Sequence, residues 1–426
     1  MHFPMVRFVE TQAKTRRILL VDCDAFYVQV ARLEDPEGAG KARLLIVGGS
    51  ATGRGVVTSA SYEARKFGVR SAMPTGQALR LCPDAMVAPA PRGACVGRSR
   101  AVREALKRLS PVVQAASIDE FYLDLTGTER LFADETLEDT AWRIRREVLA
   151  DTQISVSLGG GTRRIIAKLA TSFAKPAGVH IVPPGGELEF MRRLSLADLT
   201  GVGPSLVEAL AKRGLVSVED GLGVQKEWLQ EWFGQRRGAW LHARMRGMDS
   251  SEVDPHERRK SISAERTFFR DLSEDADLER RLLEVSGSTA STLRRKGFRA
   301  RTITVKLRDS DFRTRQHSRT LTEAVESDHA VHETALSLLR ELREERRAPA
   351  RLLGVALSGL VAPDQPHQLA LFEVPEAEET ERDRQVSRAV DAVRDRFGKD
   401  AVRPARMLDE QRSGPNPAKH NDTEDS

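Results

Sequence analysis

Four acidic residues lie where the sequence predicts that strands end or turn. Asp22 and Asp24 follow the apolar run 18–21, and Asp119 and Glu120 stand between two further apolar stretches. Carboxylate oxygens are the ligands that Mg²⁺ prefers while it keeps coordination positions for substrate phosphates. A single Asp at a strand end is more often a turn cap than a ligand. Several acids brought together repel one another unless a cation neutralises them, so the set predicts a metal site.

Two divalent ions bridged by such acids would activate a hydroxyl for in-line attack and neutralise a phosphate group. The same carboxylates also suit a two-metal nuclease. The acids alone therefore leave synthesis and hydrolysis of a phosphodiester both open.

The elements that must position these acids form an α+β or α/β body over about residues 16–182. The uninterrupted apolar run 18–21 is typical of a strand buried on both faces. Residues 117–120 separate the apolar run 112–116 from the alternating stretch 121–125, which predicts a hairpin. If this hairpin lies beside the first strand, the acids converge.

The remaining chain divides at changes of composition. Proline and glycine at 183–186 end the first body, and the alternating residues 299–308 predict a half-buried strand in a second α+β domain. The predicted segments are an N-terminal extension (1–15), a small helical domain (183–247), a polar linker (248–260), the second α+β domain (261–362) and a final stretch with a linker, a helix over 386–397 and a polar tail (363–426).

Composition narrows the class of protein. The chain has 426 residues, a net charge of +5 and three cysteines without CxxC spacing. This length predicts two to four domains, and the cysteines argue against a disulfide framework or a structural zinc site. No apolar run approaches the length of a membrane span, so we expect a cytoplasmic protein with no membrane association.

Positive charge is concentrated in residues 293–319, which contain ten basic residues and two acidic ones. Such runs are usually solvated faces. Because no compensating acids lie nearby in the sequence, we expect a surface that tracks phosphates, with Arg299 and Arg301 among its contacts.

Several ordered motifs together resemble the Y-family translesion DNA polymerases, and specifically their DinB branch. They are Val-Asp-Cys-Asp-Ala-Phe-Tyr at 21–27, the stretch 61–74 that begins Ser-Tyr-Glu-Ala-Arg, Ser-Ile-Asp-Glu at 117–120, Ala-Lys-Pro-Ala-Gly at 174–178, Leu-Thr-Gly-Val-Gly at 199–203, and the stretch 260–268. The resemblance covers about residues 16–360.

This resemblance implies a right-handed polymerase with a palm (16–182), fingers inserted at about 35–92, a helical thumb (183–247) and a little-finger domain (261–362). Asp22 and Asp119 would be the main ligands of two Mg²⁺ ions, with Glu120 as the catalytic carboxylate beside them. The carbonyl of Cys23 would complete one coordination shell. Asp24 is then left as a turn cap.

The resemblance also assigns the nucleotide site. Tyr27 matches the steric gate that leaves no room for a ribose 2′-hydroxyl. Tyr62 and Arg65, three residues apart on one helical turn, would contact the triphosphate with Ser59 nearby and Lys175 reaching in from the palm.

Two further motifs imply macromolecular partners. Gly201 and Gly203 lie in a stretch that resembles a helix-hairpin-helix, whose exposed N–H groups grip a DNA phosphate. A pentapeptide resembles the sliding-clamp-binding peptide of bacterial polymerases, with contacts from Gln368, Leu369, Leu371 and Phe372. A peptide that packs on its own domain is the alternative. The implied partners are primer-template DNA, dNTPs and a sliding clamp, for a protein that is itself a monomer.

One departure from the family pattern occurs at residues 159–164. Three glycines followed by Thr-Arg-Arg stand where the family usually has an Asn-Lys pair, and we expect them to adjust a loop. A catalytically silent scaffold that binds DNA and the clamp is the second functional class. The presence of Asp22, Asp119, Glu120 and Tyr27 argues against it, and a nuclease does not explain Tyr62, Arg65 or Lys175.

Overall fold

The computed structural model describes residues 15–132, 135–362, 379–398 and 400–405. Its contacts separate the chain into two units, Met1–Glu257 and Arg258–Ser426. This boundary falls inside the predicted linker. The clamp-like pentapeptide, most of the N-terminal extension and the polar tail lie outside the described residues. Among the described residues, no helix has the length and apolar character needed to cross a membrane.

The first unit mixes strands and helices. Its strands are β1 (Ile18–Cys23), β2 (Leu45–Gly48), β3 (Val57–Ala60), β4 (Met86–Ala88), β5 (Val112–Ala115), β6 (Glu120–Asp124), β7 (Val156–Gly161) and β8 (Val179–Ile181). Its helices are α1 (Phe26–Glu34), α2 (Tyr62–Arg65), α3 (Thr75–Leu81), α4 (Arg92–Leu109), α5 (Leu137–Thr152), α6 (Arg164–Ala174), α7 (Glu187–Arg192), α8 (Pro204–Ala211), α9 (Val218–Leu222), α10 (Lys226–Phe233) and α11 (Gln235–Met245), with 3₁₀ turns at Glu129–Phe132 and Leu196–Asp198.

A five-stranded sheet in the order β5-β6-β1-β7-β8 forms the centre of this unit. Every residue of β1 is buried, as the uninterrupted apolar run predicted. Leu19 and Val21 pack into one core with side chains of α4 and α5, while Ile18 and Leu20 pack on the opposite face near α6. The predicted hairpin is present, because β5 pairs antiparallel with β6.

A smaller sheet in the order β3-β2-β4 stands beside α2 and α3. Strand β2 runs antiparallel to β3 and parallel to β4. Buried residues of these elements form a separate small core. Helices α7 to α11 build the predicted helical region, whose core is lined mainly by leucine, valine and methionine side chains.

The second unit is an α+β domain, as predicted. Its elements are β9 (Ser261–Leu272), α12 (Asp275–Arg295), β10 (Arg299–Asp309), β11 (Thr314–Val325), α13 (Asp328–Glu345), β12 (Ala350–Val361) and α14 (Glu381–Phe397). The strands form an antiparallel sheet in the order β11-β10-β12-β9. Alternate residues of β10 are buried, and they pack against α12 and α13.

Helix α14 docks on the second unit mainly through polar contacts. The buried Glu379, just before α14, accepts hydrogen bonds from the backbone N–H groups of Glu326 (2.9 Å) and Ser327. Asp391, within α14, accepts from Ser291 Oγ at 2.8 Å and from Arg294 Nε at 2.7 Å. These contacts give the predicted C-terminal helix a defined position against α12 and the start of α13.

The predicted loop at residues 159–161 is wrong, because these glycines are the second half of β7. A Cβ atom at Gly159 would lie 2.2 Å from the backbone nitrogen of Thr171 and 2.3 Å from the carbonyl oxygen of Ala167. A Cβ at Gly161 would lie 2.5 Å from Cγ2 of Ile166. The glycines therefore let α6 pack directly on the backbone of the strand.

We predict that Gly159→Ala destabilises the protein by about 1–3 kcal/mol, because the new methyl group must push α6 away from β7. Gly97→Ala is the matched control. Gly97 lies inside α4, and a methyl group added there would meet nothing within 4 Å, so alanine should stabilise by up to about 1 kcal/mol. Urea unfolding followed by circular dichroism measures both, and equal stability of the two variants would contradict this packing account.

Candidate active site

The predicted acids converge at one end of the central sheet. Asp22, in β1, is in register with Glu120, the first residue of β6. Asp119 immediately precedes Glu120, and its carbonyl oxygen accepts a hydrogen bond from the backbone N–H of Cys23 at 2.9 Å. Asp22 is only 6% exposed, whereas Asp119 and Glu120 are half-buried. Sheet register thus places acids that are almost 100 residues apart in sequence beside one another.

The electrostatics of Asp22 reflect this crowding. The pKa of Asp22 is raised to about 6, chiefly because its carboxyl group is buried. The Lys175 ammonium opposes this rise, and the charges of Glu120 and Asp119 add smaller contributions to it. Burial also raises the pKa of the Cys23 thiol well above its usual range. A protonated, buried thiol is a poor metal ligand, so only the backbone carbonyl of Cys23 suits a role at this site.

Helix α6 supplies two cations to the acids. Lys175 caps the C-terminal end of α6, and its Nζ lies 2.6 Å from Asp22 Oδ2. Lys168, inside the same helix, forms an ion pair with Glu120. Sequence reasoning identified Lys175 and missed Lys168. The spacing of seven residues, two helical turns, was the available signal that both face the same side.

The donor set is that of a hard divalent cation. Carboxylate oxygens and a backbone carbonyl are the ligands that Mg²⁺ takes, and one or two carboxylates suffice where substrate phosphates complete the coordination. Within the part of the chain that the structure describes, no three His, Cys, Asp or Glu side chains are already arranged as a metal-binding cluster. The lysine ammonium groups contact the oxygens of Asp22 and Glu120 instead.

Asp24 is not a turn cap, and that prediction is wrong. Its side chain makes no capping hydrogen bond to α1, whose N-cap is Ala25. The carboxylate is buried and accepts hydrogen bonds from side chains and backbone of several elements, including the hydroxyl of Tyr62. The neighbouring acids Asp22 and Asp24 therefore have different surroundings.

Tyr27 lies in the first turn of α1, which starts directly after β1. Its ring packs edge-on against Phe26, with 5.7 Å between ring centroids and 71° between planes. Tyr27 is half-buried, and burial together with the charges of Cys95 and Asp119 raises the pKa of its hydroxyl. The ring therefore lies within electrostatic reach of Asp119.

The other predicted nucleotide contacts lie near β3 and α2. Ser59 is a buried residue of β3, and Tyr62 and Arg65 are the ends of the single-turn helix α2. The Arg65 guanidinium carbon lies 5.0 Å from the centroid of the Tyr62 ring, and Arg65 Nε donates to the carbonyl oxygen of Ala60 at 2.9 Å. This contact agrees with the prediction that Tyr62 and Arg65 lie on one face of a helical turn.

In the helical region, Gly201 has a backbone conformation that favours glycine, with φ of 95°. A Cβ atom there would also lie 2.8 Å from the ring of Trp240. Gly203 precedes α8, which begins at Pro204. The two glycines thus form a tight turn that leads into the N-terminus of a helix.

Five of the ten basic residues in the run 293–319 form ion pairs, which corrects the prediction that the positive charge has no compensating acids. Its ion-paired cations and their partners are Arg294 with Asp328 and Asp391, Arg295 with Asp395, Lys306 with Glu265, Arg315 with Asp309 and Glu345, and Arg319 with Glu341. Every partner except Asp309 lies outside the run, so the local charge count could not detect those acids.

The two arginines singled out from the sequence differ. Arg299 is half-buried and its guanidinium donates to the carbonyl oxygen of Ala324. Arg301 is exposed. Small hydroxyl side chains line the adjacent part of the sheet, where Thr302 pairs with Thr320 at 3.0 Å and Thr304 with Ser318 at 2.9 Å.

Comparisons with known proteins identify the class. Residues 21–172 match the impB/mucB/samB family, and residues 259–371 match the impB/mucB/samB family C-terminal domain. The fold is similar to a chimera of the Y-family DNA polymerases Dbh and Dpo4, with a TM-score of 0.73 and 24% identity over 81% of this chain and 99% of that one. An insertion ternary complex of Dbh DNA polymerase matches with a TM-score of 0.58 and the same identity and coverage.

Curated relatives give the branch. DNA polymerase IV of Desulfatibacillum aliphaticivorans is 37% identical over 404 residues, which are 95% of this chain and 98% of the relative. DNA polymerase IV of Caulobacter vibrioides is 36% identical over 394 residues, or 92% and 94% of the two chains. The chain therefore belongs to the impB/mucB/samB family of Y-family polymerases, which confirms the predicted resemblance and fold class.

Proposed function

We propose that this chain is a DNA-directed DNA polymerase for translesion synthesis, which adds dNTPs to a primer 3′ end by nucleotidyl transfer. The observation that carries the proposal is the meeting of Asp22 and Glu120 in register on neighbouring strands, beside Asp119 and facing Lys175. Family membership at 37% identity over nearly the whole chain supports polymerisation over hydrolysis.

We propose that Asp22, Asp119 and the carbonyl of Cys23 hold two Mg²⁺ ions, with Glu120 as the catalytic carboxylate. The oxygen donor set supports hard divalent ions in general. Bound ions would activate the primer 3′-hydroxyl and neutralise the triphosphate. The carboxylates of Asp22 and Asp119 would fix the positions of the two ions. The pairing of β1 with β6 keeps the acids of the two strands together.

The nucleotide site uses cations from two directions. Lys175, at the end of α6, presents its ammonium beside Asp22, and Arg65 presents its guanidinium from α2 over the ring of Tyr62. A triphosphate that lies between these cations would exchange water for charge-assisted hydrogen bonds. Ser59, on strand β3 just before α2, would add a hydroxyl group to this site. We propose that Tyr27 is the sugar gate, since its stiff ring follows directly from the strand that carries Asp22.

We propose palm (16–182), fingers (about 35–92), thumb (183–247), linker (248–260) and little finger (261–362) as the functional division. The thumb would hold the DNA backbone at the turn of Gly201 and Gly203, where N–H groups at the start of α8 favour a phosphate. In the little finger, Arg301 and the small hydroxyl face of the sheet would follow the phosphates without reading the sequence.

A sequence motif supports a further partner, a sliding clamp. The pentapeptide with Gln368, Leu369, Leu371 and Phe372 would bind a sliding clamp and so retain a monomeric polymerase on its template. We propose a cytoplasmic protein, because Cys23, Cys82 and Cys95 are all free thiols. A catalytically silent scaffold with the same partners is the alternative, and activity decides between the two.

Primer extension is the direct test. We predict that pure wild-type protein extends a primer on undamaged and damaged templates in the presence of Mg²⁺. The double variant Asp119→Ala/Glu120→Ala should lose at least about a thousandfold in rate, since without these acids the ions that would neutralise the charge of the transition state are no longer held in place. Retained DNA binding by the variant is the control for folding. Wild-type protein that binds DNA but does not extend it would favour the scaffold.

Sugar selection tests Tyr27. Tyr27→Ala should admit ribonucleotides, because removal of the ring opens space beside the 2′-carbon of the incoming sugar. The ratio of kcat/KM for dNTP to that for rNTP measures this, and Tyr27→Phe, which keeps the ring, is the matched control. Equal ratios in wild type and Tyr27→Ala would remove the gate assignment.

Salt dependence tests the little finger. Arg301→Ala should flatten the slope of log K against log salt for duplex DNA by about one, since one phosphate contact is lost. Arg382→Ala, an exposed arginine of α14, serves as the control and should leave the slope unchanged. An unchanged slope for Arg301→Ala would argue against its phosphate contact.

A further inference from the structure

Asp24 is only 4% exposed, and its carboxylate accepts hydrogen bonds from four donors of the protein. Tyr62 Oη donates to Oδ1 at 3.1 Å and Ser157 Oγ donates to the same oxygen at 2.6 Å. Ser155 Oγ donates to Oδ2 at 2.9 Å, and the backbone N–H of Ala177 donates to Oδ2 at 3.1 Å. Each carboxylate oxygen thus has two donors.

These donors fill the four acceptor positions that a carboxylate offers. Asp24 therefore has no free lone pair for a metal ion, unlike Asp22, whose carboxylate contacts one lysine. A buried acid with all its acceptor positions used fixes the groups around it, because any donor that moves away leaves a buried carboxylate oxygen unsatisfied. Its contribution is to geometry rather than to metal binding.

The four donors come from separate parts of the first unit. Ser155 immediately precedes β7 and Ser157 lies within it, and Ala177 lies in the turn just after Lys175. Tyr62 comes from α2, beside the small three-stranded sheet. One carboxylate therefore links the element that carries Lys175 to the element that carries Tyr62 and Arg65.

The link extends to Arg65 through the Tyr62 ring. The hydroxyl end of the ring is held by Asp24, and the ring face carries the Arg65 guanidinium at 5.0 Å. A cation over an aromatic face gains energy only while the ring keeps its orientation. Loss of the hydroxyl anchor would therefore free the Tyr62 ring and weaken one of the contacts that orient Arg65, whose Nε also donates to the carbonyl oxygen of Ala60.

We propose that Asp24 is a positioning residue for the incoming nucleotide. It sets the spacing between the two cationic sides of the triphosphate site, with Tyr62 and Arg65 on one side and Lys175 on the other. This inference rests on the proposed function of those three residues. It assigns Asp24 no contact with the substrate and no part in the chemical step.

Single-nucleotide primer extension at saturating DNA tests the proposal. Asp24→Ala should raise the KM for dNTP roughly tenfold or more, the size expected for a lost hydrogen bond to a charged group, and should change kcat much less. A merely structural role would lower the active fraction of enzyme and so reduce kcat without this change in KM. A fall in kcat with unchanged KM would overturn the proposal.

A double-mutant cycle with Tyr62→Phe gives the sharper result. Both substitutions remove the same hydrogen bond, so Asp24→Ala should raise KM clearly less in the Tyr62→Phe background than in wild type. Independent, multiplicative effects on KM would overturn the proposed link. Asp35→Ala is the matched control. The Asp35 carboxylate also accepts two hydrogen bonds, from the backbone N–H groups of Gly38 and Ala39, but it lies away from the site. The KM of the Asp35→Ala variant for dNTP should therefore equal that of wild type.

Asp24→Asn provides a second variant that keeps the side-chain volume. The Ala177 N–H can only donate, so the amide oxygen must face it, and the amide nitrogen then faces the hydroxyls of Tyr62 and Ser157. These hydroxyls can reverse and accept, so KM should rise less than in Asp24→Ala. An unchanged KM in both variants would overturn the proposal, whereas absence of extension by wild type would contradict the polymerase assignment itself.

Discussion

Repulsion among the acids at the shared end of β1 and β6 is the constraint on which the rest of the site depends. Register alone places Asp22 beside Glu120, and the pKa of Asp22 is raised to about 6, chiefly by burial and further by the charges of Glu120 and Asp119. Charges in such a position must be neutralised. Helix α6 does this with Lys168 and Lys175, and it reaches the acids because the glycines of β7 let it lie directly on the strand.

The different surroundings of Asp22 and Asp24 explain why these neighbouring acids have different proposed roles. Asp22 contacts Lys175 through Oδ2 and lies in register with Glu120, so a divalent ion can replace the lysine there. Asp24 has every acceptor position used by protein donors. The first carboxylate can serve chemistry, and the second holds the groups that receive the substrate.

Local features of the sequence predicted much of the fold and the site. The buried β1, the hairpin before Glu120 and the Tyr62–Arg65 turn depend on nearby residues, and the structure contains all three. Contacts between distant residues were missed. Arg294 pairs with Asp391, 97 positions away, and the donors to Asp24 at Ser155 and Ala177 lie more than 130 positions away. The glycines of β7 resembled a loop because the helix that covers them is set by tertiary packing.

A crystal structure of the protein with primer-template DNA, a non-hydrolysable dNTP analogue and Mn²⁺ would test the proposed metal site most directly, because anomalous scattering locates the Mn²⁺ ions. We expect two ions among Asp22, Asp119 and Glu120, with Lys175 moved from Asp22 to the triphosphate and Asp24 still bonded to its protein donors. Ions bound away from these acids, or an ion on Asp24, would contradict this expectation.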